Sequence, residues 1–365
     1  MRFVMGPAHT RLPRLFLLLV AVAEPSVSLL ADPQSQITSY GPLPVFELHS
    51  GFWFNLHHTL YHQARERDAA PRNRSTTNKN PRNALGLALD TRVALSSSEQ
   101  RIWDDALAYY SANYASKDLQ FTTELILLKN QLGDFEDCDE LSGTKKQACD
   151  AGLSPGLTHV LESAAPIYRA HQWPNHDRAN RRWILQVAPL VRQQGVGLSE
   201  RLADLYQAKW PREKIRVDVA RFANTAGAYT TLDPLRVTIS SADPRNQGAA
   251  ALEVLFHEAS HGIAEPVQDA IIRECRQRGK AIPRDLWHAL IFYTTGEVIR
   301  PVMTGSHLEQ DRSVPGGGYT PYAVREGLYQ RGWDAYFKLL QKFWQPYLDG
   351  KATFDDSIAR MVSAL

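Results

Sequence analysis

Val254-Leu255-Phe256-His257-Glu258-Ala259-Ser260-His261-Gly262-Ile263 is the stretch of this chain with the clearest chemical pattern. His257 and His261 are four residues apart, and residues at this spacing lie on the same face of an α-helix. The neighbouring residues are apolar or small, which is typical of a helix that packs on both flanks. We therefore predict a buried helix that begins near Pro244 or Ala249 and ends at Ile263.

The order of His257, Glu258 and His261 indicates a metal site for hydrolysis. Two imidazoles one helical turn apart can bind a single zinc ion from the same side. Glu258 follows the first histidine, where its carboxylate can reach a metal-bound water and take its proton as the water attacks a carbonyl. The sequence thus predicts Zn²⁺ as cofactor, the histidines as ligands and Glu258 as catalytic base. The alternative is a helix with two ordinary surface histidines.

The residues before this helix change from a helical to a strand-like period. Short strands are predicted over 215–219, 228–232 and 236–240, with a turn at Asp233-Pro234. Apolar spacing predicts helices along most of the remaining chain. The expected fold is α+β and predominantly helical. A helical lobe (residues 24–212) would precede a catalytic lobe (residues 213–365) that holds the small sheet and the histidine helix, with the active cleft between them.

Residues of about 213 to 300 resemble the zincin metallopeptidases, and the motif over 254–263 carries the resemblance. In zincins the metal helix follows a small sheet whose edge strand binds an extended substrate. Gly227-Ala228-Tyr229-Thr230 loosely resembles such a strand, and the alternative for it is a structural hairpin. The resemblance implies a peptide or protein substrate. Ala264 and Val267 stand where metzincins need glycine and histidine, so that subgroup is excluded.

The third zinc ligand is expected on the helix predicted over 283–300, as in the gluzincins. Glu297 is the preferred candidate because a carboxylate in an apolar segment is costly unless it is paired or bound to a metal. His288 is the competing candidate. The two residues are nine apart, which places them on opposite faces of a helix, so only one should face the metal. The alternative for Glu297 is a pair with Arg300.

Further side chains are weaker candidates. Zincins often stabilise the reaction's oxyanion with a polar side chain, and Tyr319 and Tyr322 are the candidates here, each with core packing as the alternative. His58 and His62 have helical ligand spacing, but buried imidazoles on an apolar helix often pack as ordinary core groups.

The N-terminus has the layout of a secretory signal peptide, residues 1–23, with basic, apolar and small-residue parts in order. Export favours a disulfide between Cys138 and Cys149, whereas Cys275 is expected to be a buried free thiol. The predicted location is secreted or periplasmic, without stable membrane insertion after cleavage. The net charge of +2 and the lack of a basic aromatic patch argue against nucleic acid.

Two other functions are compatible with the same motif. One is a metal-dependent hydrolase of a non-peptide amide or ester, because the motif specifies water activation and not the bond that is cleaved. The other is a non-catalytic secreted module with a structural zinc ion.

Overall fold

Helices form most of the residues that the structure describes, and they pack against one four-stranded sheet. The computed structural model describes residues 45–69, 94–141, 149, 152–304 and 318–365. The predicted signal peptide lies outside these ranges. All described residues belong to one unit, so the division into two lobes at residue 212 stays a prediction.

The described residues of the first half of the chain are mostly helical, as the apolar spacing predicts. Its helices are α1 (Phe52–Ala69), α2 (Ser97–Asn113), α3 (Thr123–Asp134), α4 (Pro155–His171) and α5 (Trp173–Leu205). The second half carries α6 (Gly248–Ser260), α7 (Glu265–Gln277), α8 (Leu286–Thr304), α9 (Tyr322–Arg325), α10 (Asp334–Leu339), α11 (Gln345–Leu348) and α12 (Phe354–Ser363). A five-residue π-helical turn, Leu340–Trp344, joins α10 to α11.

The sheet confirms the three predicted strands and adds one. The strands are β1 (Phe46–His49), β2 (Ile215–Ala220), β3 (Ala228–Leu232) and β4 (Leu235–Ser240). Their spatial order is β1-β2-β4-β3, with β1, β2 and β4 parallel and β3 antiparallel to β4. β3 is therefore at one edge of the described sheet, as predicted for the segment around Tyr229.

The helix that carries the motif lies in the interior. Every described residue of α6 from Ala249 to Ser260 is buried, and the helix packs on α5, α8, β3 and β4. It ends earlier than predicted, because His261 forms the C-cap and the chain turns over the next residues. The backbone of His261 is still helical, so the one-turn spacing from His257 is retained.

The N-terminal core is a cluster to which α1, α2, α3 and α4 contribute, together with Ala223 and with Tyr229 of β3. A disulfide joins Cys138 to Cys149, as predicted, in the connection between α3 and α4. The indole nitrogen of Trp53 donates to the carbonyl oxygen of Cys138 at 2.7 Å, which ties this connection to α1. Cys275 is a buried free thiol.

Candidate metal centre

Three imidazoles meet where α6 faces α8. His257 and His261 come from α6 and its C-cap, and His288 comes from the first turn of α8. One nitrogen from each ring lies within 4.8 Å of the other two. Among the described residues, this is the single group of three or more histidine, cysteine or acidic side chains close enough to hold a metal ion.

The chemistry of these rings fits a metal ion. Burial lowers the pKa of all three, that of His257 well below its usual value, that of His261 to about 3 and that of His288 to about 4. The rings are therefore neutral near pH 7, which is the form that binds metals. Nδ1 of His257 is buried without a hydrogen-bond partner, and a buried polar atom of this kind is costly unless something satisfies it.

Aromatic rings fix the orientation of the histidines. Phe292, one turn after His288 on α8, stacks on His257 with 3.5 Å between ring centroids. The ring of Tyr322 stacks on Phe292 in turn, at 6.1 Å. Trp287 contacts both His261 and His288. The face of α8 that carries residues 288 and 292 is thus the face that meets α6.

Glu258 is held by the edge strand of the sheet. The hydroxyl of Thr230 on β3 lies 2.7 Å from Oε2 of Glu258 and 2.8 Å from its backbone carbonyl oxygen. Burial raises the pKa of Glu258 to about 7, and the hydrogen bond from Thr230 opposes this shift. The carboxyl group of Glu258, the residue after His257, therefore has a fixed partner on the sheet.

The structure does not bring Glu297 to this group. Oε1 of Glu297 lies 2.6 Å from a guanidinium nitrogen of Arg300, three residues further along α8. This is the ion pair that the sequence offers as the alternative for Glu297. His288 and Glu297 do face different sides of α8, and packing turns the His288 side towards α6. The third imidazole of the cluster thus belongs to His288, the competing candidate for the third ligand position.

The two tyrosines are occupied by packing and by a buried acid that the sequence analysis missed. The Tyr319 hydroxyl donates to Oε2 of Glu253 at 2.6 Å, and the backbone N–H of Tyr322 donates to the same oxygen at 2.8 Å. Glu253 precedes His257 by one turn of α6, and burial raises its pKa to about 7. Its position as an acid inside an apolar helix was the signal that could have revealed it.

A cleft of about 820 Å³ gives access to the cluster. His261 and His288 lie in its wall, whereas neither Tyr319 nor Tyr322 lines it. The other lining residues come from the start of α3, from β3 and the following turn, and from the start of α8: Gln120, Phe121, Thr123, Ile126, Leu127, Thr230, Thr231, Leu232, Asp233, Arg284, Asp285 and Trp287.

The histidines of α1 pack as core groups. His57 shares a hydrogen bond with the Tyr110 hydroxyl at 3.0 Å, and His58 shares one with the Tyr229 hydroxyl at 2.9 Å. The ring of His62 bonds to the carbonyl oxygen of Ala223. Burial lowers the pKa of each ring. These hydrogen bonds and the low pKa values match the packing alternative, although Nε2 of His57 is buried without a hydrogen-bond partner.

No helix in the described ranges combines the length and apolarity that a bilayer crossing needs. Comparison with protein families, with curated proteins and with solved structures finds no match for this chain.

Proposed function

We propose that this chain is an exported zinc-dependent hydrolase that cleaves amide bonds in peptides or proteins. The observation that carries the proposal is the convergence of His257, His261 and His288, with Glu258 directly after the first of them in the chain. In this proposal the three imidazoles hold the ion. A zinc ion held by three histidines with an open position activates water and polarises a carbonyl.

The ligand set has a chemical consequence. Three neutral imidazoles leave the full charge of the ion uncompensated, whereas a carboxylate ligand would cancel part of it. His261 and His288 lie in the wall of the cleft, and His257 is more deeply buried. The side of the cluster that faces the cleft is therefore where substrate and water would arrive.

Glu258 is the base in this proposal. Its carboxylate accepts a proton from the attacking water and delivers that proton to the nitrogen of the leaving amine. Thr230 keeps the carboxyl group in place from the sheet side. Export is supported by the signal-like leader in the sequence and by the disulfide between Cys138 and Cys149.

The test compares four forms of the mature chain: wild type, His288→Ala, Glu297→Gln and Glu258→Gln. After loading with zinc and removal of excess metal, each is measured for zinc content and for hydrolysis of a mixed peptide pool. We expect Glu297→Gln to keep zinc and His288→Ala to bind it at least tenfold more weakly. We expect Glu258→Gln to keep zinc and to lose roughly 10²- to 10⁴-fold in rate.

Two results would contradict the proposal. If Glu297→Gln loses zinc while His288→Ala retains it, the ligand set is the one that the sequence favoured. If wild type and Glu258→Gln hydrolyse the pool at equal rates, Glu258 is not the base and a structural zinc ion is the better explanation. Assay of simple amides and esters beside the peptides identifies the bond that is cleaved.

A further inference from the structure

Exposed apolar side chains are concentrated in the cleft beside the histidine cluster. Eight large hydrophobic residues are exposed in the described ranges, and three of them line this one cleft: Phe121 at 77%, Leu127 at 55% and Leu232 at 62% exposure. Ile126 also lines it. We call these four side chains the apolar wall. An apolar surface inside a concave site marks a place where a ligand is bound.

The apolar wall is a specified part of the fold. Phe121 directly precedes Thr122, the N-cap of α3. The backbone N–H of Phe121 donates to Oδ1 of Asp118 at 3.2 Å. The opposite side of α3 buries Leu125, Leu128 and Leu132 in the N-terminal core. Leu127 is therefore presented to the cleft by a well-packed helix and Phe121 by the turn before it, and neither is needed to fill that core.

We propose that the apolar wall receives a large apolar side chain of a peptide substrate, next to the bond that is cleaved. The proposal rests on the proposed function and adds a substrate class to it. The occupant is an extended peptide segment with a residue such as leucine, phenylalanine or methionine beside the scissile bond. Burial of one such side chain on the apolar wall would raise the affinity for the peptide substantially.

β3 explains why the occupant is a peptide. Of the described strands only β4 pairs with β3, and Thr230 to Asp233 run along the cleft. The outer backbone groups of such an edge can pair with an extended peptide. Successive side chains of an extended peptide point to opposite sides. Thr230 contacts Glu258 on the motif helix, whereas Thr231 accepts a hydrogen bond from Lys129 of α3. One side of a peptide paired with β3 would therefore face the motif helix, and the other side would face α3.

The charges in the cleft agree with an apolar occupant. The charged lining groups are Asp233, Arg284 and Asp285, and the last two lie 3.8 Å apart. These side chains carry both signs of charge, so they do not favour a strongly charged side chain at the apolar wall.

The experiment uses the zinc-loaded mature chain. Wild type digests a pool of synthetic peptides, and mass spectrometry of the products identifies the residues that flank each cleaved bond. We expect large apolar residues to be strongly enriched on one side of the bond. For the double substitution Phe121→Ala and Leu127→Ala, we expect kcat/KM for a leucine-containing peptide to fall by roughly tenfold or more. The value for the matching alanine-containing peptide should change much less.

The control removes exposed apolar side chains elsewhere. Leu185 and Val196 on α5 are 45% and 46% exposed and do not line the cleft. Leu185→Ala with Val196→Ala should leave both peptides cleaved as by wild type. Equal loss of leucine and alanine peptides in the Phe121 and Leu127 variant, or no apolar preference in wild type, overturns the inference and leaves the hydrolase intact.

A binding measurement separates the inference from the proposed function. Fluorescence anisotropy of labelled leucine and alanine peptides is recorded with zinc-loaded Glu258→Gln. Suppose that wild type cleaves no peptide, that the leucine peptide binds at least tenfold more tightly than the alanine peptide, and that the apolar-wall substitutions remove this difference. The inference then stands, and the proposed hydrolase function is wrong. Absence of both cleavage and binding overturns both. If the apolar-wall substitutions abolish hydrolysis of a long-chain ester but leave peptide cleavage unchanged, the wall binds an acyl chain. That result also overturns the inference.

Discussion

The hydroxyl of Thr230 can serve both protonation states of Glu258. A hydroxyl has one proton to donate and lone pairs that accept. When Glu258 is ionised, Thr230 donates to Oε2 across 2.7 Å. When Glu258 carries a proton, it can donate to Thr230, which then donates to the Glu258 carbonyl oxygen at 2.8 Å. As the base of the proposed reaction, Glu258 would therefore keep Thr230 as its partner while it gains and releases a proton.

Thr230→Val tests this role, since valine has the same shape without the hydroxyl. We expect kcat to fall by roughly 10- to 100-fold, the effect of one lost hydrogen bond to a charged group, with little change in KM and full zinc content. Thr230→Ser restores the hydroxyl and should recover most of the rate. A general structural defect would instead affect both variants and lower their zinc content.

Glu253 makes the stability of the chain depend on pH. Burial raises its pKa from 4.5 to about 7, so the folded state favours the protonated form. The stability that this preference provides is fully present below pH 4.5 and is lost as pH rises to about 7. The slope is at most about 1.4 kcal/mol per pH unit.

Glu253→Gln should remove this slope, because glutamine resembles the protonated acid and still accepts from Tyr319 and Tyr322. Urea unfolding of the metal-free chain at several pH values between 5 and 8 measures the difference. We expect wild type to lose stability relative to the variant as pH rises. Glu124→Gln, at an exposed glutamate of α3, is the control. Parallel stability curves for wild type and Glu253→Gln would contradict the prediction.

At the scale of elements, α8 and the segment that begins at Gly318 approach each other closely at Gly296. A Cβ atom at Gly296 would lie 2.6 Å from Cβ of Pro321 and 3.1 Å from Oε1 of Glu253. Pro321 belongs to a rigid ring that cannot move aside alone. The glycine thus sets how near this segment comes to the helix that carries His288.

Gly296→Ala should lower the free energy of unfolding by about 1 to 3 kcal/mol, the usual cost of overpacking. Gly197→Ala in α5 is the matched control, because nothing lies within 4 Å of the added Cβ. That control should raise stability by about 0.5 to 1 kcal/mol, since alanine favours the helix. If both substitutions stabilise in urea unfolding, the close approach at Gly296 has no energetic effect.

Local patterns predicted the elements that have a clear period. The strands over 215–219, 228–232 and 236–240 alternate, and the motif helix has a helical period, so each was found from its own residues. β1 has four residues and pairs with β2 far along the chain, so its sequence carries little local signal. For α8 the apolar spacing predicted the helix, but not how the helix is rotated about its axis. The contact of Phe292 with His257 turns His288, not Glu297, towards α6.

At the scale of the molecule, the disulfide limits the freedom of the connection between α3 and α4. Cys138 and Cys149 are separated by 11 residues, and the pair is linked to α1 through Trp53. A cross-link of this size reduces the entropy of the unfolded chain by an amount worth roughly 3 kcal/mol. The N-terminal helical core should depend on it.

The double substitution Cys138→Ser and Cys149→Ser should therefore lower the free energy of unfolding by about 2 to 4 kcal/mol. Wild type unfolded in reductant should match the double variant in oxidising buffer, and reductant should have no effect on the variant. Guanidinium unfolding monitored by tryptophan fluorescence measures all four cases. Equal midpoints for oxidised wild type and the variant would show that the cross-link does not stabilise the fold.

The stack of Phe292 on His257 has a consequence for the choice among competing ions. An imidazole held flat at 3.5 Å from another ring cannot swivel without pushing that ring and Tyr322 behind it. In the proposed metal centre, an incoming ion would therefore meet a His257 ring with little freedom left to lose on binding. Calcium prefers oxygen ligands, which these rings do not offer. Such rigidity would disfavour any ion whose preferred geometry the three imidazoles do not already match.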